Sequence, residues 1–267
     1  MIQYPGPLPM IEDALFSYVE ILQGTDPWGN VLDAGTGRHS LSWLLRLSPA
    51  RVTAVTAEPW EARALERDFS MRLRAQDRLI VGTWSDPALL RGEVFDVVVA
   101  DYLLGALDRH APFVQEALFD RLRPHVGSRL YVVGLEPEPA TTDSPWGKLI
   151  LETVRLRDAA ILLSGDRCHR EYPRWWVRRS LERTGFEVLH ERVFPIRYGV
   201  EFITGQLDVV LRKLPSVPDK DLARSIERAS GSIRRRAAAC HEKYGSIPFG
   251  EDYVLSARPS EESHPLR

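Results

Sequence analysis

Short apolar runs alternate along this chain with longer segments of helical spacing. The runs, rich in β-branched residues, predict strands at 31–32, 51–57, 78–81, 95–100, 129–134, 186–195 and 252–257. Apolar positions three and four residues apart predict helices at 10–23, 39–47, 87–91, 111–123, 146–163, 174–184, 200–213 and 219–243. Strands that alternate with helices are typical of an α/β fold with a parallel sheet. The run at 95–100 is almost wholly apolar, which predicts a central strand buried on both faces.

Residues 30–40 combine the end of a strand, a glycine turn and the start of a helix. Gly35 and Gly37 allow the backbone to turn sharply and to approach a ligand at the carboxyl end of the strand. A dinucleotide fingerprint requires a third glycine, and Ser40 occupies that position. Asp33 would repel a pyrophosphate on this turn and attract an ammonium group. The pattern therefore favours an adenosine-bearing cofactor with positive charge over a dinucleotide.

The segment 31–37, Val-Leu-Asp-Ala-Gly-Thr-Gly, resembles the first motif of class I S-adenosylmethionine-dependent methyltransferases, roughly (V/I)-L-D-x-G-x-G-x-G. His39 stands where that family often has the last glycine. The resemblance covers the sheet-forming parts of about 28–196 and 251–258. It implies a Rossmann-like three-layer sandwich with a seven-stranded, mostly parallel sheet, an antiparallel last strand, and helical insertions after strands five and six. It also implies S-adenosyl-L-methionine as the cofactor.

By this resemblance, residues that follow the first four strands would hold the cofactor. Glu58 would accept hydrogen bonds from the ribose hydroxyls, or it would instead cap the helix that begins at Pro59. A polar side chain of the turn 83–86 would meet the adenine amine, although Asp86 could instead cap the next helix. In chain order, the predicted cofactor-binding residues are Asp33, Ala34, Gly35, Gly37, His39, Glu58, Pro59, Thr83, Trp84, Ser85, Asp101 and Tyr102.

Methyl transfer from a sulfonium is an in-line displacement on an activated donor, in which orientation alone supplies roughly 7–11 kcal/mol. A general base would add about 10²–10⁴-fold for a hydroxyl or protonated-amine acceptor. The catalytic candidates at strand ends or in insertions are Asp101, Glu136, His169 and Tyr172. Plainer interpretations are a helix cap for Asp101, a surface turn between prolines for Glu136, and a solvated loop histidine for His169.

The length of 267 residues, with 44% hydrophobic residues, suits one large domain over 1–267. An N-terminal helix segment within 1–27 would pack on the domain edge or cover the cofactor site. Insertions at 140–175 and 199–250 would form substrate-side walls, and the second could also form a homodimer surface. Residues 259–267 are expected to form a mobile tail.

The charge balance argues against a nucleic-acid or membrane partner. The net charge is −2 and the isoelectric point is about 6.4, so no global field draws the protein to polyanions. Arginines with aromatic neighbours at 174–179 and the triplet 234–236 could contact phosphates and bases. On a helix, however, these arginines would face water. We expect a small-molecule acceptor as the partner.

The N-terminus lacks the basic segment and apolar run of a signal peptide, and no apolar run approaches the length of a membrane span. These features predict a cytoplasmic protein. Cys168 and Cys240 are isolated from each other, which predicts reduced thiols and no metal site.

The sequence thus predicts S-adenosylmethionine-dependent methyl transfer to an oxygen or nitrogen nucleophile of a small molecule. A nicotinamide-dependent dehydrogenase is a rival within enzymes. The same pattern is compatible with a non-catalytic scaffold that uses 199–250 as an interface, and with a methyltransferase that acts on protein or RNA.

Overall fold

A computed structural model describes residues 13–261 and divides the chain into two compact units. Of the described residues, the sheet unit contains 13–136, 169–194 and 252–261, and the helical unit contains 137–168 and 195–251. The predictions for residues 1–12, and for the end of the tail from residue 262 onward, lie outside the described residues.

Seven strands form one sheet in the described part of the chain. They are β1 (Asn30–Asp33), β2 (Arg51–Thr56), β3 (Arg78–Val81), β4 (Phe95–Asp101), β5 (Val126–Leu135), β6 (Phe186–Tyr198) and β7 (Ile247–Pro259). Their order is β3-β2-β1-β4-β5-β7-β6. Neighbours among the first five strands are parallel, and β7 runs antiparallel to β5. The predicted seven-stranded, mostly parallel sheet with an antiparallel last strand is confirmed.

Nine α-helices precede or connect these strands within residues 13–261. They are α1 (Ala14–Gln23), α2 (Arg38–Leu47), α3 (Pro59–Phe69), α4 (Leu103–His110), α5 (Leu118–Leu122), α6 (Pro145–Leu163), α7 (Arg174–Arg183), α8 (Val200–Lys213) and α9 (Lys220–Tyr244). Helix α6 follows β5, and α8 and α9 follow β6, which confirms the predicted helical insertions after strands five and six.

The sheet is covered on both faces, because successive side chains of a strand point to opposite sides. In β4, Val97 and Val99 join an apolar cluster with Leu41 of α2, whereas Val98 joins a second cluster with Phe119 of α5. All these side chains are buried. This packing gives the sheet unit the three layers expected of a Rossmann-like sandwich.

In the helical unit, α6, α8 and α9 pack around their own apolar cluster. Its buried members include Leu149, Ile203, Leu207 and Ile233, one or two from each helix. Asp219 caps α9, where its carboxylate accepts hydrogen bonds from the backbone N–H groups of Asp221 and Leu222 at 2.9 and 3.0 Å.

Two helix predictions in the sheet unit are wrong. Residues 87–91 form turns, with Leu90 in the left-handed region at φ 54°. The predicted helix 111–123 is reduced to α5, with short 3₁₀ turns on either side, since Phe113 has a left-handed backbone at φ 71° that a continuous α-helix does not contain. Helix α4 was not predicted, because its leading leucines continue the apolar pattern of β4.

Candidate functional site

The residues predicted to hold a cofactor lie after four strands that are adjacent in the sheet. Asp33 ends β1, Asp101 ends β4, Glu58 follows β2, and Thr83 follows β3. All four strands are parallel, so these positions share the carboxyl edge of the sheet. The strand order reverses between β1 and β4, which is the position where open α/β sheets bind ligands.

The glycine turn after β1 is fixed to the sheet by its backbone. Ala34 donates its N–H to the carbonyl of Val99 in β4, and Thr36 donates to the carbonyl of Val55 in β2, both at 2.8 Å. A Cβ on Gly35 would lie 2.7 Å from a methyl carbon of Leu103, whereas one on Gly37 would meet no atom within 4 Å. Gly35 is therefore required for packing, and Gly37 leaves open space where a ligand can approach.

Asp33 is an unusual carboxylate, because it is fully buried and lacks a conventional hydrogen-bond partner in the described part of the chain. Burial raises its pKa to about 6, although the nearby Ser40 and Thr36 hydroxyls and the Gly35 N–H offset part of the rise. The Thr36 hydroxyl is also buried without a partner among the described residues. Buried polar groups without partners are costly, so this arrangement fits a site that receives a polar, cationic ligand.

We expect Asp33→Asn to stabilise the protein without ligand by about 1 kcal/mol at pH 7.5. Because the pKa of Asp33 is raised in the folded state, ionisation of Asp33 lowers the free energy of unfolding as pH rises from about 4 to 6. A neutral amide removes that cost, so the variant should lose less stability than the wild type over this range. Urea unfolding at pH 5 and pH 7.5 measures the difference, and a variant less stable than wild type at both pH values would contradict this account of Asp33.

Glu58 lies at the start of α3 and its carboxylate is about one-quarter exposed. One oxygen accepts a hydrogen bond from the Trp60 indole N–H at 3.0 Å, and the other lies 3.7 Å from Nδ1 of His110. Its side chain makes no capping hydrogen bond to α3, so the capping interpretation is not supported. Pro59 is the first residue of that helix, where its fixed φ is favourable.

The turn after β3 separates Trp84 from its polar neighbours. The Trp84 side chain is buried, and its indole N–H donates to the Ala34 carbonyl at 2.6 Å. This bond uses the only polar atom of the indole, so a polar contact from Trp84 to a ligand is ruled out and we assign the side chain to support of the glycine turn. Thr83 and Ser85 have hydroxyls 3.2 Å apart, and Asp86 accepts from the backbone N–H of Ala88 at 2.8 Å.

Asp101 and Tyr102 lie where β4 ends and α4 begins. Burial raises the pKa of Asp101 to about 7, and the charge of Asp33 adds to this effect, while His39 opposes it. Tyr102 has a left-handed backbone at φ 46°, and its hydroxyl donates to Asp252 at 2.8 Å. Burial and the charges of Asp252 and Asp101 hold the pKa of Tyr102 far above its usual value, so it is unsuited to act as a base.

Two carboxylates of this edge were not among the predicted site residues. Asp252 lies in β7, paired with Leu135 at the end of β5, and burial raises its pKa to about 6. Asp13 caps α1 and lies 3.0 Å from Nε2 of His39. The antiparallel direction of the last strand could have located Asp252, and the cap signal before an apolar helix could have located Asp13.

The remaining catalytic candidates have structural contacts. Oε1 of Glu136 lies 3.2 Å from both the backbone nitrogen and Nε of Arg174, at the start of α7. Tyr172 packs on the core beside Trp176, with ring centroids 4.5 Å apart, and its carbonyl accepts from the Tyr253 hydroxyl at 2.8 Å. His169 is partly buried in the same segment of the sheet unit. The catalytic roles of Glu136, His169 and Tyr172 stay predictions.

Within residues 13–261, no group of three or more histidine, cysteine, aspartate or glutamate side chains is arranged to hold a metal ion. No helix in this part of the chain combines the length and the apolar character needed to cross a membrane.

No family model matches the sequence, and no curated protein resembles it significantly. Solved structures do match its fold. A provisionally assigned methyltransferase from Bacillus halodurans is 15% identical with a TM-score of 0.58, and the match covers 92% of this chain and 99% of that protein. The mycolic acid cyclopropane synthase CmaA1, in complex with SAH and CTAB, is 15% identical with a TM-score of 0.54, covering 91% of this chain and 83% of the synthase. The cyclase SpnF is 15% identical with a TM-score of 0.52, covering 92% of this chain and 80% of the cyclase.

These likenesses, together with the strand order, show that the chain shares the Rossmann-like fold of this methyltransferase, this cyclopropane synthase and this cyclase.

Proposed function

We propose that this protein binds S-adenosyl-L-methionine at the carboxyl edge of its sheet and transfers the methyl group to an oxygen or nitrogen atom of a small molecule. The observation that carries the proposal is the buried, unpartnered Asp33 carboxylate at the end of β1, beside the open space at Gly37. A cationic ligand would supply the positive charge that balances the Asp33 carboxylate. S-adenosylmethionine carries two such charges, an ammonium and a sulfonium.

The described residues fit this cofactor along its length. Asp33 and the glycine turn would hold the methionine part. Glu58 would accept hydrogen bonds from the ribose hydroxyls, and Thr83 and Ser85 would meet the adenine amine. When bound, the cofactor supplies an activated methyl group for in-line displacement.

Asp101 is the residue best suited to take a proton from the acceptor. Its carboxylate lies at the end of β4, next to Asp33, and its raised pKa of about 7 places its proton affinity close to neutral pH. A carboxylate oxygen of Asp101 would accept the proton of an O–H or N–H nucleophile as the methyl group replaces it. The Tyr102 hydroxyl already donates to Asp252, so the proposal assigns it no proton-transfer role.

Methyl transfer is tested with S-adenosylmethionine labelled on the methyl group and a panel of small amines, phenols and aliphatic alcohols. The proposal predicts label in at least one acceptor and equimolar S-adenosylhomocysteine. Asp101→Asn should slow transfer at least tenfold when the rate is measured at saturating S-adenosylmethionine, where a loss of cofactor affinity does not contribute. Tight cofactor binding without transfer to any small molecule, protein or RNA would favour the non-catalytic scaffold instead.

The cyclopropane synthase CmaA1 supports the cofactor assignment, since its structure contains SAH, the demethylated form of S-adenosylmethionine. The cyclase SpnF shows that chemistry besides methyl transfer occurs on this fold. Product analysis by mass spectrometry therefore belongs in the same experiment, because a methylated product has a mass 14 Da above that of its acceptor whereas a cyclised one does not.

A further inference from the structure

His39 occupies the position of the last glycine of the first motif, and its side chain has a specific partner. Nε2 of His39 lies 3.0 Å from Oδ2 of Asp13. The second oxygen of Asp13 accepts hydrogen bonds from the backbone N–H groups of Leu15 and Phe16, at 2.9 and 3.3 Å. The contact therefore joins the first turn of α2 to the cap of α1.

Helix α1 packs along α2, and the further contacts come from Phe16 and Glu20. The Phe16 ring stacks on Trp43 with centroids 4.1 Å apart, and it lies 4.8 Å from the His39 ring. One turn later, a single oxygen of Glu20 accepts from the Trp43 indole N–H at 2.8 Å and from Arg46 at 2.9 Å. The His39–Asp13 pair is the end of this interface that lies nearest the glycine turn.

The start of α1 is close to the proposed site as well as to α2. The charge of Asp13 contributes to the raised pKa values of Asp101 and Asp252 at the ends of the strands. The charged groups that face His39 are Asp13 from α1 and Asp101 from β4. A protonated His39 beside the glycine turn therefore interacts with the charges of two carboxylates.

We propose that protonated His39 is a positioning residue that clamps the start of α1 beside the glycine turn through Asp13, so that α1 forms one wall of the cofactor site. The inference rests on the proposed function only for the identity of the ligand that this wall contacts. The clamp itself is a property of the protein without ligand.

The pH range of the clamp follows from its two groups. The hydrogen bond to Asp13 raises the pKa of His39 above its usual 6.5, against the opposing effect of burial. Burial raises the pKa of Asp13, but the His39 contact and the two backbone N–H groups outweigh it and hold that pKa below 3.8. The clamp is therefore complete near pH 5–6 and is lost as pH rises through the raised pKa of His39.

The first test uses Asp13→Asn, because asparagine caps helices as well as aspartate does but carries no charge. Asp219→Asn is the matched control, since Asp219 caps α9 through the same two kinds of backbone bond. We expect Asp13→Asn to lower the NMR-measured pKa of His39 towards 6.5 and to speed amide exchange in α1 about threefold at pH 6, the scale of an ion pair whose imidazole is largely exposed. The control should change neither. An unchanged His39 pKa and unchanged α1 exchange in Asp13→Asn would overturn the clamp.

The second test measures S-adenosylmethionine affinity at pH 6.5 in two His39 variants. His39→Asn should weaken binding about threefold, and His39→Arg, which keeps a positive charge, should stay within about 1.5-fold of wild type. Equal losses in both variants would contradict the role of the charge. If the cofactor binds none of these proteins, the proposed function fails, whereas the exchange and NMR results still decide the clamp.

Discussion

Replacing Glu58 with alanine is expected to weaken S-adenosylmethionine binding at least tenfold. Glu58 lies beyond the end of β2, with one carboxylate oxygen bonded to Trp60 and the second 3.7 Å from His110. Hydrogen bonds from two ribose hydroxyls to a charged acceptor contribute roughly 1.5–3 kcal/mol each, so even one of them accounts for a tenfold loss.

Calorimetric titration measures this change, with Glu66→Ala as the control. Glu66 is an exposed glutamate on the same helix, α3. Its replacement therefore removes the same charge at a position away from the carboxyl edge of the sheet. Wild-type affinity in Glu58→Ala would remove Glu58 from the site. A comparable loss in Glu66→Ala would show that net charge, rather than contact with the ribose, determines the affinity.

Cofactor affinity is also expected to rise steeply between pH 5 and pH 7, by about two to three orders of magnitude. The pKa values of Asp33 and Asp101 are raised to about 6 and about 7, so both carboxyls are mostly protonated at pH 5. A neutral carboxyl does not attract an ammonium or sulfonium, and each lost charge lowers affinity about tenfold per pH unit below its pKa. Over the same range the His39–Asp13 contact weakens as pH rises through the raised pKa of His39, so the clamp cannot produce a rise in affinity.

Asp33→Asn tests the source of this pH dependence. The variant should bind more weakly at pH 7 and should show a shallower slope, because one carboxyl fewer titrates at the site. Asp33 and Asp101 interact, so the midpoint in the wild type belongs to the pair. A wild-type affinity that is flat from pH 5 to pH 7 would contradict an electrostatic interaction between these carboxylates and a cation.

Strands β1 to β4 could be predicted almost to the residue, because each is a short apolar run followed by a glycine or an acidic residue. β3 has the predicted bounds, and β2 and β4 differ by one residue at the end. Helix α4 at 103–110 was missed although the end of β4 was predicted to within one residue, because the leucines that begin this helix follow closely on the apolar run of β4.

The site was predictable where it depends on one turn and less so where distant segments meet. Asp33, Glu58 and Asp101 follow from the rule that parallel strands place their carboxyl ends at one edge. The contact between Asp13 and His39 joins two helices 26 residues apart in the chain, and no local spacing signals it. Trp84 was assigned to a ligand contact because it lies in the correct turn, but burial directs its N–H to Ala34.

The proposed cofactor is tested most directly by calorimetric titration of the purified protein with S-adenosylmethionine, S-adenosylhomocysteine and NAD at pH 7. The buried Asp33 carboxylate and the absence of a third glycine predict micromolar binding of the first two ligands and no binding of NAD. Binding of NAD alone would indicate a nicotinamide-dependent dehydrogenase, and binding of none of the three would contradict the assignment of the edge as a cofactor site.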